Sequence, residues 1–282
     1  MASANPGRSQ ATTIPQDERE IAKHYTLDRP DLDLIMRQNK ASNRLGLACV
    51  MALLRYPGRP LADGEVSPSG VLPFLARQIG VDHREIDHYF ERPQTRREHL
   101  ALLFDRMKMR PFAPVDVKAL TGWLTPAAQS LRQADALADM VVEELRRRRI
   151  LLAARPALEA ILHLAIGRAI RIAHRALANG LSAGHKLDLD KLLDPREGTS
   201  VTVLAWARTP ALSPAAANLD RIAERIRFLR SLNLPATLME RIPAKVFDEF
   251  AAEGMRMSAQ HLRDLNPEMP CWRRRCCIFP VI

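Results

Sequence analysis

The residues best supplied with chemistry in this sequence are its arginines, and they come in clusters. Arg96 and Arg97 stand side by side, Arg146, Arg147, Arg148 and Arg149 form an unbroken run, and Arg168, Arg171 and Arg175 recur at helical spacing. A planar guanidinium offers paired N–H donors to a phosphate or to a guanine edge, so the chemistry is anion recognition and not bond-making. The totals agree: 42 Lys and Arg oppose 32 Asp and Glu across 282 residues, a formal charge of +10. Such a balance favours a polyanionic partner; the alternative source of the charge is a compositional bias, since alanine is abundant too. Aromatics make up only 5%, too few for an RNA reader that stacks bases on a sheet, which leaves duplex DNA.

Bond-making groups are harder to assemble. P-loop, dinucleotide-binding, HExxH and GxSxG patterns are absent, so neither a nucleotide nor a cofactor is expected. His83 and His88 are five apart, off the spacing that puts two ligands on one helical face, and the eight histidines read as surface or capping residues. Asp188, Asp190 and Asp194 resemble a metal-binding carboxylate cluster, but capping or solvation accounts for them as well. Cys49 lies alone, and Cys271, Cys276 and Cys277 crowd the C-terminus without a second pair to close a zinc site. The HxR in QHLRDL from Gln260 is one residue short of the HxxR box of tyrosine recombinases, and Tyr25, Tyr56 and Tyr89 all precede it. A tyrosine nucleophile is therefore rejected.

The elements that must hold the arginines read as helices throughout. Pro15 is expected to open the first helix, and Asp28 with Pro30 the second. SNRLGLACVMALLRY is expected to be an apolar core helix capped by Ser42 and closed by Pro57-Gly58. Further helices are expected from Ser67-Pro68 through Gly80, from an Asp82 cap to Tyr89, and from Thr95 to Met107, the last opened by a Thr95–Glu98 capping box. Arg96 and Arg97 would then place positive charge at a positive helix end, which a nearby anion would relieve. VDVKALTGWL, Leu131–Arg149 and a long helix from Pro156 to Gly180 follow, the last with Arg168, Arg171 and Arg175 opposite Leu158, Ile161, Leu162, Ala165 and Ile172. LDLDKLLD, the ambiguous TSVTVLAW, an amphipathic Asn218–Asn233 with Ile222, Ile226 and Leu229 inward, and two short helices near 243–254 and 258–266 complete the chain.

Several of these stretches resemble one known family. NRLGLACVMALLRYPGR from Asn43 to Arg59 is similar to the NRLGFAxQLxxLRYPGR signature of Tn-three family replicative transposases. YFERPQTRREHL from Tyr89 to Leu100, RPF followed by Trp123-Leu124, LRRRRILL from Leu145 and EGMRMSAQHLRDLNP from Glu253 match in order across residues 16–267. The resemblance implies a helical N-terminal region that recognises the terminal inverted repeats of a transposon, with an acidic triad in a separate RNase H-like domain. Family members are several times longer, so the chain is expected to be a truncated form without catalytic residues. After Asn266-Pro267 the sequence departs into EMPCWRRRCCIFPVI, expected to be an aberrant, disordered tail without function.

Together these readings give an all-α fold with two DNA-binding domains of helix-turn-helix-like character. The expected boundaries are a disordered lead 1–15, domains 16–150 and 151–266, and the tail 267–282. Expected DNA contacts are Arg44, Arg55, Arg59, Arg92, Thr95, Arg96, Arg97 and His99, the run Arg146–Arg149, and Arg168, Arg171 and Arg175, with Arg44 and Arg55 equally open to a structural role tying helix to loop. The partner is double-stranded DNA, with intact transposase as a second; no metal or membrane is involved, and with neither signal peptide nor long apolar run the location is cytoplasmic. An inhibitory fragment that pairs with intact transposase, a helix-turn-helix regulator and a non-functional remnant are the alternatives.

Overall fold

Asp28 sits in extended conformation and accepts the Asp31 N–H, while Asp31 accepts the Asp28 N–H in return; with Pro30 in the first turn, these fix the start of α2 (Arg29–Met36). Such local signals recur through a computed structural model that describes residues 13–60, 70–209 and 216–264. The other helices are α1 (Glu18–Tyr25), α3 (Ala41–Arg55), α4 (Val71–Ile79), α5 (Glu85–Phe90), α6 (Pro93–Met107), α7 (Pro114–Ala128), α8 (Ala134–Arg147), α9 (Arg155–Asn179), α10 (Ala183–Lys191), α11 (Val203–Arg208), α12 (Ala216–Ser231), α13 (Ala244–Arg256) and α14 (Ala259–Asp264), with a 3-10 turn at Ala236–Arg241. Two isolated bridges, Arg110 with Ile150 and Pro195 with Thr202, are the only β pairings among the described residues. The fold is all-α.

By contact the described chain divides into two units, 13–124 with 133–164 and 125–132 with 165–264. The division falls inside α9, whereas the sequence places it near 150. In the first unit every residue of α3 from Leu45 to Leu54 is buried. A helix apolar on all sides has to be surrounded, and α1, α2, α4, α5 and α6 all pack on it. The second unit holds two smaller cores. One gathers Leu181, Leu189, Leu192, Leu204, Leu238 and Leu262; the other joins Ala173 and Leu177 of α9 to Val246 and Phe250 of α13.

Several starts differ from expectation. Asp17, not Pro15, caps α1, accepting the Arg19 and Glu20 N–H groups. Ser42 is buried inside α3, whose N-cap is Lys40 without a side-chain cap. Pro93 opens α6 two residues before Thr95, so the Thr95–Glu98 box does not form; Thr95 is already in the helix and Glu98 instead accepts from Gln94. Leu131 likewise precedes α8, which begins at Ala134. TSVTVLAW, read as helix, is helical only from Val203, where Thr202 caps α11 through the Ala205 N–H; Thr199 to Val201 precede the helix, and Thr202 also pairs with Pro195 in an isolated bridge. Ile172 of α9 and Ile226 of α12, read as inward, are exposed; on α9, Ala169 and Ala173 are buried instead of Ile172. Ser67-Pro68, most of the lead and the tail from 267 lie outside the described residues.

Candidate nucleic-acid interface

The first two motifs meet in the core. Gly46 of α3 faces Tyr89 of α5 so closely that a Cβ at Gly46 would stand 2.2 to 2.4 Å from three atoms of the tyrosine ring. The Tyr89 hydroxyl donates to His99 Nδ1 at 3.2 Å, and the opposite nitrogen, Nε2, donates to Gln38 Oε1 at 3.3 Å. An amide oxygen can only accept, so Nε2 carries the proton and a neutral ring satisfies both bonds. Arg44 Nε donates to the Gln38 carbonyl at 2.7 Å. His99 is thus 5% exposed and stacked on Tyr89. Its place among the expected DNA contacts is corrected, because both ring nitrogens are engaged inside the protein. The reading of histidines as surface or capping residues fails likewise for His174, 2% exposed, though His185 does complete a capping box with Ser182.

Burial holds the His99 imidazole below its ordinary value, outweighing the nearby Glu98 carboxylate. The stability His99 contributes is complete above the unfolded imidazole value near 6.5 and is lost as pH falls below it, because the unfolded chain takes up the proton first. Urea unfolding midpoints should therefore decline from pH 7.5 to 5.5, and His99→Asn should flatten that decline; an unchanged pH dependence in the variant would refute this role.

Two further motifs meet the end of the first, RYPGR, at the corner that follows α3. The Tyr56–Pro57 peptide is cis, and Gly58 has a φ of 99° that a glycine tolerates without strain. His24 stacks on Tyr56 at 4.0 Å between centroids, and the Arg146 guanidinium stands 4.3 Å from the same ring. Arg146 Nε donates to the Pro57 carbonyl, and Leu152 N–H donates to the Gly58 carbonyl at 2.8 Å. Alongside, Arg110 N–H donates to the Arg149 carbonyl and Leu151 N–H to the Arg110 carbonyl. RYPGR, RPF and LRRRRILL are thereby sewn together by main-chain hydrogen bonds.

That closure assigns work to part of the arginine set. Arg55 grips the Asp31 carboxylate through both nitrogens at 2.5 Å, with the Asp31 side chain 3% exposed. Burial raises Asp31, but the Arg55 fork, the Asp28 N–H and the guanidinium charge outweigh it and hold the carboxyl below its usual range. Arg147 and Arg148 both donate to Glu144, at 2.6 to 2.7 Å. The Arg147 bonds, with Arg148 adding to them against burial, pull that carboxyl down to about 2. Arg44 is thus engaged with the Gln38 carbonyl and Arg55 with Asp31 of α2. Arg147 and Arg148 share one buried carboxylate, a pairing that the i,i+3 and i,i+4 spacing of Glu144 already signals.

Arg92, Arg97, Arg149, Arg168, Arg171 and Arg175 are exposed and have no carboxylate partner among the described residues. Arg96 and Thr95 are half-buried on α6; Arg59 is half-buried and donates to the Pro60 carbonyl. The sequence reading missed Arg106, which stands on α6 beside the corner and donates to the Pro30 carbonyl. Asp188 is paired with Lys191 at 3.0 Å, and no three His, Cys, Asp or Glu side chains come together as metal ligands among the described residues. No helix among them is long and apolar enough to cross a membrane.

Residues 6–165, more than half of the chain, match the family described as a domain of unknown function, DUF4158. The chain belongs to the DUF4158 family. The matched stretch ends within a residue of the first unit's last residue, Leu164; it takes in the described residues of that unit together with Thr125–Arg132, which group with the second unit. This DUF4158 chain is 33% identical over 261 residues to the transposase for transposon Tn501 of Pseudomonas aeruginosa. It is 32% identical over 255 residues to the transposase for transposon Tn3926 and 31% over 261 residues to that for Tn21, both of Escherichia coli. These alignments cover 93%, 90% and 93% of the chain. These relatives are transposases of the Tn-three family, and the chain spans about a quarter of their length, 26% in each case.

Proposed function

We propose that this chain binds duplex DNA, recognising the terminal inverted repeats of a transposon as the DNA-reading part of a Tn-three family transposase. The observation that carries the reading is the division of the arginines. One set is consumed in holding the fold, while Arg92, Arg97, Arg149 and the Arg168, Arg171, Arg175 stripe remain exposed without carboxylate partners among the described residues. Similarity to transposases along nine-tenths of the chain supplies the context. Arginines of this kind hold phosphates and set register, while side chains from helices of helix-turn-helix character would read base edges. In this reading, strand cutting and joining belong to a separate catalytic part, and this chain contributes recognition.

The start of α6 favours phosphate contact in particular. It has no side-chain cap and no acid in its first turn, unlike α1 and α2, and it carries Arg92 at the cap with Arg96 and Arg97 just beyond. Positive side chains at that end cost a few tenths of a kcal/mol to about 1 kcal/mol, which an anion reverses. Arg92→Gln with Arg97→Gln should weaken duplex binding on any sequence and reduce the slope of log K against log salt by about 2, near 0.9 per phosphate. Melting temperature of the free protein should not fall and should rise slightly, because the charge cost at the helix end is relieved. A full-strength slope in the double variant would remove this end of α6 from the interface.

A further inference from the structure

Beside the corner where three motifs converge lies an open cleft of about 300 Å³, lined by Arg55, Arg106, Arg146 and Arg149 with Leu54, Met107 and Met109. Among the described residues, four of the seven that line it are arginines and none is acidic. The carboxylates that bind two of them, Asp31 on Arg55 and Glu143 on Arg146, are not among the lining residues. Arg106 and Arg149 have no carboxylate partner among the described residues. Among the described residues, with those two carboxylates counted, the four arginines keep an excess of two positive charges.

The arginines are also held in place. Arg55 is clamped by a bidentate fork, Arg146 by a ring face, a carbonyl and a carboxylate, and Arg106 by the Pro30 carbonyl. Arg149 occupies the left-handed region at φ 56°, where glycine or asparagine would meet less strain. That conformation ends α8, with the Arg149 N–H on the Arg146 carbonyl and the Ile150 N–H on the Leu145 carbonyl, and it places Arg149 in the lining of the cleft. Guanidiniums fixed before the ligand arrives lose little freedom on binding it. The leucine and two methionines give the cleft an apolar floor, which excludes water from one side of a bound anion and strengthens the charge interaction.

We propose that this cleft is a seat for a single phosphate group, and that its occupant is a backbone phosphate of the bound duplex. The proposal rests on the DNA-binding reading and deepens it: Arg106 and Arg149 are the contributing residues, while Arg55 and Arg146 also hold the fold. The seat fixes register without reading sequence, since a phosphate carries no base information.

The test uses the full chain and Arg106→Gln with Arg149→Gln, which removes two exposed side chains and leaves the Arg55 fork intact. Duplex affinity is measured over a salt series on a repeat-bearing and a scrambled duplex. The expected result is a salt slope smaller by about 0.9 and a loss of about tenfold at low salt, equal on both duplexes, with an unchanged melting curve. If wild type binds and the variant matches it in slope and affinity, the seat is wrong and the DNA-binding reading stands. If wild type binds neither duplex, inorganic phosphate decides, against chloride at equal ionic strength. A rise in melting temperature seen in wild type and lost in the variant keeps the seat as a phosphate site, whereas equal responses overturn it.

Discussion

Arg55→Ala should lower folding stability by about 3 kcal/mol, the low end of the cost of stranding a buried charge, because the Arg55 side chain is itself 35% exposed and partly screened. The loss arises less from a missing contact than from the carboxylate left behind. Asp31 is 3% exposed on its side chain; it accepts the Asp28 N–H in the capping box of α2 and is also the acceptor for Arg55. Adding Asp31→Asn to Arg55→Ala should therefore restore part of the stability, and Arg55→Lys should fall between, keeping charge but not the two-nitrogen fork. Wild type should also lose this contribution in acid. With the Asp31 carboxyl depressed in the fold, the stabilisation is complete above the unfolded carboxylate value near 3.9 and disappears as pH falls through the folded one. Urea unfolding at pH 7 and pH 3 measures both effects; a loss below about 0.5 kcal/mol for Arg55→Ala at pH 7 would show the fork to be an ordinary surface pair.

Gly46→Ala should be at least as damaging, about 3 kcal/mol or more, although it adds one methyl group. The new carbon would lie 2.2 to 2.4 Å from Cδ2, Cγ and Cε2 of Tyr89, and Tyr89 has no room to retreat. It is fully buried between α3, α5 and α6, with its hydroxyl bonded to His99. A stability of about 5–15 kcal/mol is usual for a domain, so the change removes a large fraction of it. Gly122→Ala is the matched control: Gly122 lies within α7 with nothing inside 4 Å of the added carbon, and the substitution should stabilise by about 0.4–1 kcal/mol. Thermal melts of the two variants should move in opposite directions. Equal shifts would mean that Gly46 is set by helix propensity and not by the approach of Tyr89.

The helices were legible in the sequence wherever a local signal sufficed. Asp28 with Pro30 starts α2, Gly80 in left-handed conformation ends α4, and α9 runs from Arg155 to Asn179 as Pro156 and Gly180 imply. Signals failed where two of them competed. Pro93 sets the start of α6 before the Thr95–Glu98 box can act, and Ser42 lies inside a helix already begun. Side-chain roles were less legible, because they depend on closures far apart in the chain. Nothing near His99 announces that Gln38, 61 residues earlier, receives its N–H, or that Arg55 reaches Asp31 across 24 residues. The same long-range closure separates arginines that hold the fold from those left at the surface, a distinction that charge clustering alone does not make.

The most direct test of the account is the affinity of this chain for a duplex bearing the inverted repeat of a related transposon, beside a scrambled duplex, across a salt series. The account predicts steep salt dependence on both and a gap of about a hundredfold or more in favour of the repeat, since charge supplies the shared term and base contacts the difference. Equal binding to the two duplexes at every salt concentration would contradict recognition of transposon ends and leave only a basic surface.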